Sequence, residues 1–143
     1  MIVFSTTSAG AFLSFKLREK MLICRELVSL CDIISIDISF RKNSVLYLIE
    51  NNGFEHLSFI TADCITDGNA LNSPLGSEEN KELARFLFSL GKTDAKTQLK
   101  MIEGFKSYIS LCAEKYSKRC EKDSKIYIVL GLFCGLIISF TVI

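Results

Sequence analysis

Asp94 to Ile143 reads DAKTQLKMIEGFKSYISLCAEKYSKRCEKDSKIYIVLGLFCGLIISFTVI, and no proline interrupts it. Asp94 suits a helix N-cap, because its short carboxylate can accept a hydrogen bond from an orphaned N–H of the first turn. Behind it, Leu99, Ile102, Phe105, Ile109, Cys112 and Tyr116 return at three- and four-residue steps. Glu103, Ser107, Ser110, Glu114, Lys118 and Glu121 lie largely off that stripe. This spacing predicts one long amphipathic helix. From Ile126 onward the chain carries no charge and is apolar on every face. A helix of about 20 apolar residues, or as few as ~17, crosses a ~30 Å hydrocarbon layer. Residues 126–143 are therefore expected to form a C-terminal transmembrane helix continuous with the amphipathic one, with Tyr127 at the interface.

At the other end, residues 1–15, MIVFSTTSAGAFLSF, are apolar but reach only ~22 Å as a helix. No basic residue precedes them, unlike a secretory signal. A short N-terminal membrane helix is expected, with a cleaved signal as the alternative. Lys16, Arg18, Lys20 and Arg25 follow this segment, and Lys115, Lys118, Arg119, Lys122 and Lys125 precede the C-terminal one. All nine cations lie on the side of the middle segment, so the positive-inside rule predicts that residues 16–125 form a cytoplasmic helical domain.

Between the ends the chain is helical in pattern. Met21, Cys24, Leu27, Val28, Cys31, Ile34 and Ile38 repeat at helical steps. Ile34 to Phe40, ISIDISF, alternates as a strand would, yet no second alternating run stands nearby to pair with it, so helix is favoured. Asn51-Asn52-Gly53, Asp67-Gly68-Asn69 and Asn72 to Gly76 are breaks. Short helices fit between them, one capped by Ser44, another over Glu78–Leu90 capped by Ser77 and stopped by Gly91. The expected fold is all-α, a small bundle of long and short helices with membrane helices at both termini.

The 143 residues balance to a formal charge of +1, and no basic face points to nucleic acid. Six cysteines show no CxxC spacing, and His56 is the single histidine, so neither a disulfide framework nor a metal site is expected. Cys24 and Cys31 share a helical face and read as small core hydrophobes. Cys64 is the native thiol on which side-specific labelling of the middle domain would report. Gly91-Lys92-Thr93 lacks the earlier glycine and the preceding strand of a phosphate-binding loop. His56, Glu55 and Cys64 could make a nucleophile and base on paper, but no third orienting group accompanies them. Asp63, Asp67, Glu78 and Glu79 read as caps and solvated positions. No catalytic set and no cofactor are expected, so the sequence argues against an enzyme. Gly131 and Gly135, four apart in the apolar segment, would let a second helix approach closely in lipid.

Two local motifs then carry a resemblance. In Leu90-Gly91-Lys92-Thr93-Asp94-Ala95-Lys96-Thr97-Gln98, the residues Leu90, Gly91, Thr93, Asp94 and Gln98, with Ile102 four further on, fit a pattern of the stage III sporulation protein AB family of endospore-forming bacteria. Tyr127, Leu130, Gly131, Gly135 and Leu136 fit its anchor entry. The chain resembles that family in layout from end to end, although residues 41–76 are richer in Asn and Cys than its pattern. The family is likened to the helical inner-membrane platform protein of type II secretion and type IV pilus systems. The resemblance implies a non-enzymatic component of the channel complex between mother cell and forespore, held in the mother-cell membrane. It also implies partners: other stage III channel proteins and the cytoplasmic ATPase stage III sporulation protein AA. A membrane-tethered helical adaptor in signalling or division is the alternative.

Overall fold

Two helices carry the architecture. The computed structural model describes residues 2–40, 44–67 and 71–142. α1 spans Ile2–Phe40 and α5 spans Ala95–Val142, about 58 and 72 Å long at 1.5 Å per residue. Between them come α2 (Val45–Asn51), a single 3-10 turn (Glu55–Leu57), α3 (Ala62–Asp67) and α4 (Ser77–Ser89). Among the described residues there is no strand.

α1 and α5 run antiparallel. Asp32 pairs with Lys106 at 2.5 Å, and the Lys20 ammonium lies 5.8 Å from the Tyr116 ring centroid. Earlier residues of one helix thus meet later residues of the other. Buried positions that step 4-3-4-3 run along each: Ile23, Leu27, Leu30, Ile34 and Asp37 on α1, where Cys24 and Cys31 widen the buried face, and Gln98, Ile102, Phe105, Ile109, Cys112 and Tyr116 on α5. That 3.5-residue repeat is the spacing of a coiled-coil seam. It corrects the expected α5 stripe at its start, where Leu99 is half-buried and Gln98 holds the buried position.

The same repeat explains why ISIDISF is helical. As a strand it would place Ile34 and Ile36 on one face; in α1, Ile34 is 3 % exposed and Ile36 is 63 % exposed. The long-range seam overrides the local alternation.

α4 closes the bundle through Leu83 and Leu87, both fully buried, and Phe86 stacks on Phe105 with centroids 4.1 Å apart. Its first turn differs from the expectation by one residue. The Asn80 N–H already bonds the Gly76 carbonyl at 2.9 Å, so Gly76 is the N-cap and Ser77 lies inside the helix without capping it. Glu79, on that first turn, is buried and accepts a 3.0 Å hydrogen bond from the Tyr116 hydroxyl of α5. Asn80 ties the preceding loop to the helix, bonding Ser73 and the Leu75 carbonyl.

The cysteines expected in the core are there. Burial, then the neighbouring Cys112 and Glu79, pushes the Cys24 thiol up to about 12. Burial pushes Cys31 up to about 12 as well, reinforced by Asp32 and opposed by Lys106. Cys64 is also buried, at 2 % exposure, which makes it a poor accessibility probe for the middle domain. Its thiol reaches the Phe59 carbonyl at 3.6 Å, folding the loop before α3 inward.

The expected membrane helices do not gain support. Among the described residues no helix is long and apolar enough to cross a membrane. At the N-terminal end the apolar stretch Ile2–Phe15 rises about 21 Å, short of ~30 Å of hydrocarbon. Each helix passes from its apolar segment directly into charged sequence at Lys16 and at Lys125. Tyr127 is exposed on α5, whereas the surroundings of Gly131 and Gly135 lie outside the described residues, as does the break at 68–70.

Candidate docking cleft at the joint between α4 and α5

α4 ends because Gly91 adopts φ +81°, a left-handed conformation that L side chains resist. The Lys92 N–H returns to the Ser89 carbonyl, closing the turn. Asp94 then caps α5: its Oδ2 accepts from the Thr97 N–H at 3.2 Å and its carbonyl from the Gln98 N–H at 2.9 Å. Hydrogen bonds from Thr97, side chain first and backbone second, hold the Asp94 carboxyl below the usual carboxylate range. Gln98 turns back from the first turn of α5, its Nε2 donating to the Thr93 carbonyl at 3.1 Å. The joint is therefore fixed from both sides.

Leu90, Gly91, Thr93, Asp94 and Gln98 form one wall of a cleft of about 680 Å³. Its opposite walls are the C-terminal end of α1, through Ile34 and Asp37, then α2, through Ser44, Val45, Leu46 and Leu48, and α3, through Ala62, Ile65 and Thr66. Ser44 sets the α2 wall as its N-cap, accepting from the Tyr47 N–H at 3.3 Å. Ile102 does not reach the cleft; it is fully buried in the seam beneath. Five of the six residues singled out at the joint thus share one surface, and the sixth supports it from the core.

The lining is mostly apolar with carboxylates from Asp37 and Asp94, and among the described residues it contains no lysine, arginine, histidine or cysteine. Such a surface can seat apolar side chains. Sequence reasoning missed the α1, α2 and α3 walls. Asp37, the one charge inside ISIDISF, is the signal that could have drawn attention to that stretch.

Of the residues weighed as a nucleophile and base, His56 bonds Glu26 and Cys64 bonds the Phe59 carbonyl. The His56 ring Nδ1 lies 2.6 Å from Glu26 Oε1, and the His56 backbone N–H donates to Glu26 Oε2 at 3.0 Å, clamping the 3-10 turn onto α1. Glu26, thirty residues away in sequence, was invisible as a partner. Among the described residues no group of three or more His, Cys, Asp or Glu is placed to hold a metal ion.

A sequence model of the family described as stage III sporulation protein AB matches residues 50–143, which include the joint, all of α4 and α5 and the anchor-entry motif. The chain belongs to the stage III sporulation protein AB family. Membership supports a role in stage III of sporulation. The match begins at Glu50, so it leaves out α1 and most of α2 and is narrower than the end-to-end resemblance in layout. No curated protein and no solved structure gives a significant match to the chain.

Proposed function

We propose that this chain is a non-enzymatic component of the channel complex between mother cell and forespore, associated with the mother-cell membrane, its helical middle facing the cytoplasm. In this reading the cleft at the joint docks the cytoplasmic ATPase, stage III sporulation protein AA, and other channel proteins assemble around the same bundle. The observation that carries it is the convergence of Leu90, Gly91, Thr93, Asp94 and Gln98 on one cleft wall. A joint needed only for connection would not require an apolar cleft beside it, and its hydrogen-bonded turn and cap fix the wall that it forms. Association with lipid is supported by the C-terminal arm of α5, where Ile128, Val129 and Leu130 are each more than half exposed although they point to three different sides.

The test is binding of the purified ATPase to the full chain carrying Thr93→Trp. The Thr93 carbonyl bonded by Gln98 is kept, while the indole occupies the cleft. The expected result is at least a tenfold loss of binding with an unchanged melting temperature, whereas Leu111→Trp, an exposed position outside the cleft lining, binds normally. Undiminished ATPase binding by Thr93→Trp rejects docking at the cleft.

A further inference from the structure

The antiparallel register has a consequence at the other end of the bundle. With Lys20 beside Tyr116 and Asp32 beside Lys106, the cations at 16, 18 and 20 of α1 come level with the segment of α5 that carries Lys115, Lys118, Arg119, Lys122 and Lys125. Two stretches nearly a hundred residues apart become one basic collar. It holds eight of the chain's 17 lysines and arginines and only four of its 16 acids, Glu19, Glu114, Glu121 and Asp123. The remainder of the chain, with nine cations against twelve acids, is net acidic. All the collar cations except the half-buried Lys20 are exposed.

What adjoins the collar is apolar in every direction. On α5, residues 128, 129 and 130 lie ~100° apart around the helix, and all three are exposed. Leu132, Phe133, Leu136 and Phe140 extend the same exposure, and on α1 Phe12, Leu13 and Phe15 do likewise. A protein groove covers one face of a helix; an apolar solvent covers all of them. The Lys16 ammonium, 4.6 Å from the Phe12 ring centroid, sits at this boundary between charge and hydrocarbon.

We infer that this collar is a recognition surface for the headgroups of anionic phospholipids, setting the depth at which the apolar arms meet the bilayer. The inference rests on the membrane association proposed above and adds headgroup charge to it. Lys115, Lys118, Arg119 and Lys122 recur at three- and four-residue steps and so share one face of α5, outside the seam of Ile109, Cys112 and Tyr116. A row of this kind next to an apolar segment complements an anionic membrane surface.

The test uses the full chain, synthesised cell-free with preformed vesicles of phosphatidylcholine alone or with added phosphatidylglycerol, and read by flotation. The collar variant is Lys115→Gln/Arg119→Gln/Lys122→Gln; the control is Lys92→Gln/Lys96→Gln/Lys100→Gln, three exposed lysines at the opposite end of the bundle. The expected result is tighter flotation on phosphatidylglycerol vesicles, weakened by salt, and reduced about fivefold for each collar cation removed, with the control unchanged. Equal flotation of the unmodified chain on both compositions, or equal loss in both variants, overturns the collar while leaving membrane association intact. Flotation on neither composition overturns both. The comparison of vesicle compositions needs no variant, so a collar variant that fails to fold does not leave the question open.

Discussion

Replacing Tyr116 with Phe removes one oxygen from the bundle and should cost more than its size suggests. The Tyr116 hydroxyl donates to Glu79 Oε1 at 3.0 Å, and the two residues are 4 % and 8 % exposed. Phe keeps the ring, and with it the contact of the Lys20 ammonium 5.8 Å away, so the change isolates the hydroxyl. Hydrogen bonds to charged groups contribute about 1.5–3 kcal/mol, and a buried carboxylate stripped of a donor bears the desolvation cost alone. For a chain of this length each kcal/mol lowers the melting temperature by about 2–4 °C. Far-UV circular dichroism melts of the full chain should therefore show Tyr116→Phe lower by roughly 3–12 °C. Glu79→Gln retains an oxygen acceptor without the charge and should lose less. The two changes should be coupled in a double-mutant cycle by about 1 kcal/mol, because they act on one bond. A Tyr116→Phe melt within 1 °C of the unmodified chain (about 0.3 kcal/mol), or strict additivity with Glu79→Gln, would refute this account of how α4 is tied to α5.

Further expectations concern the joint, the clamp and the thiols. Gly91→Ala meets no neighbouring atom, so its cost should be the left-handed backbone alone, about 1–2 kcal/mol by denaturant titration; Gly76→Ala strikes the Glu79 carboxylate and should lose part of its effect in a Glu79→Ala background. Glu26→Ala removes the acceptor of both the His56 ring and the His56 backbone N–H and should destabilise by about 1–3 kcal/mol, more than His56→Ala, in the same titration. The Cys24 and Cys31 thiols, both pushed up to about 12 from 9.0, bind protons more tightly folded than unfolded. Their contribution is full below pH 9 and is lost as pH rises through 9 toward 12, so stability should fall across that alkaline window in pH-dependent melts. Alkylation at pH 8 should correspondingly modify Cys120 well before Cys24, Cys31 or Cys64.

Much of the helical architecture was legible locally. Ser44, Gly91 and Asp94 act as caps and stop because capping depends on a side chain and the few backbone groups beside it. Gln98 bonds back to the Thr93 carbonyl within the same few residues. The start of α4 was misplaced by one residue because Gly76 caps through its backbone alone, leaving no side-chain signal. ISIDISF was ambiguous because so short a run shows only two positions of the 3.5-residue repeat, Ile34 and Asp37, against a full alternation; only the partner helix distinguishes them. The α1–α3 walls of the cleft meet the joint, and the Glu26–His56 clamp and the Tyr116–Glu79 bond form, between residues 24 or more positions apart, where spacing carries no information.

The sequence alone determined that this is a helical protein with apolar ends, basic flanks and a capped joint at Gly91 to Asp94, because each of these properties is written in neighbouring residues. It also carried the motif that the family match later covered. The tertiary structure decided the register of α1 against α5. That register turned a turn-forming motif into one wall of a cleft and merged two separate runs of lysine and arginine into one collar. The physical reason is that seam packing depends on which distant side chains face each other, a matter settled only when the two long helices align.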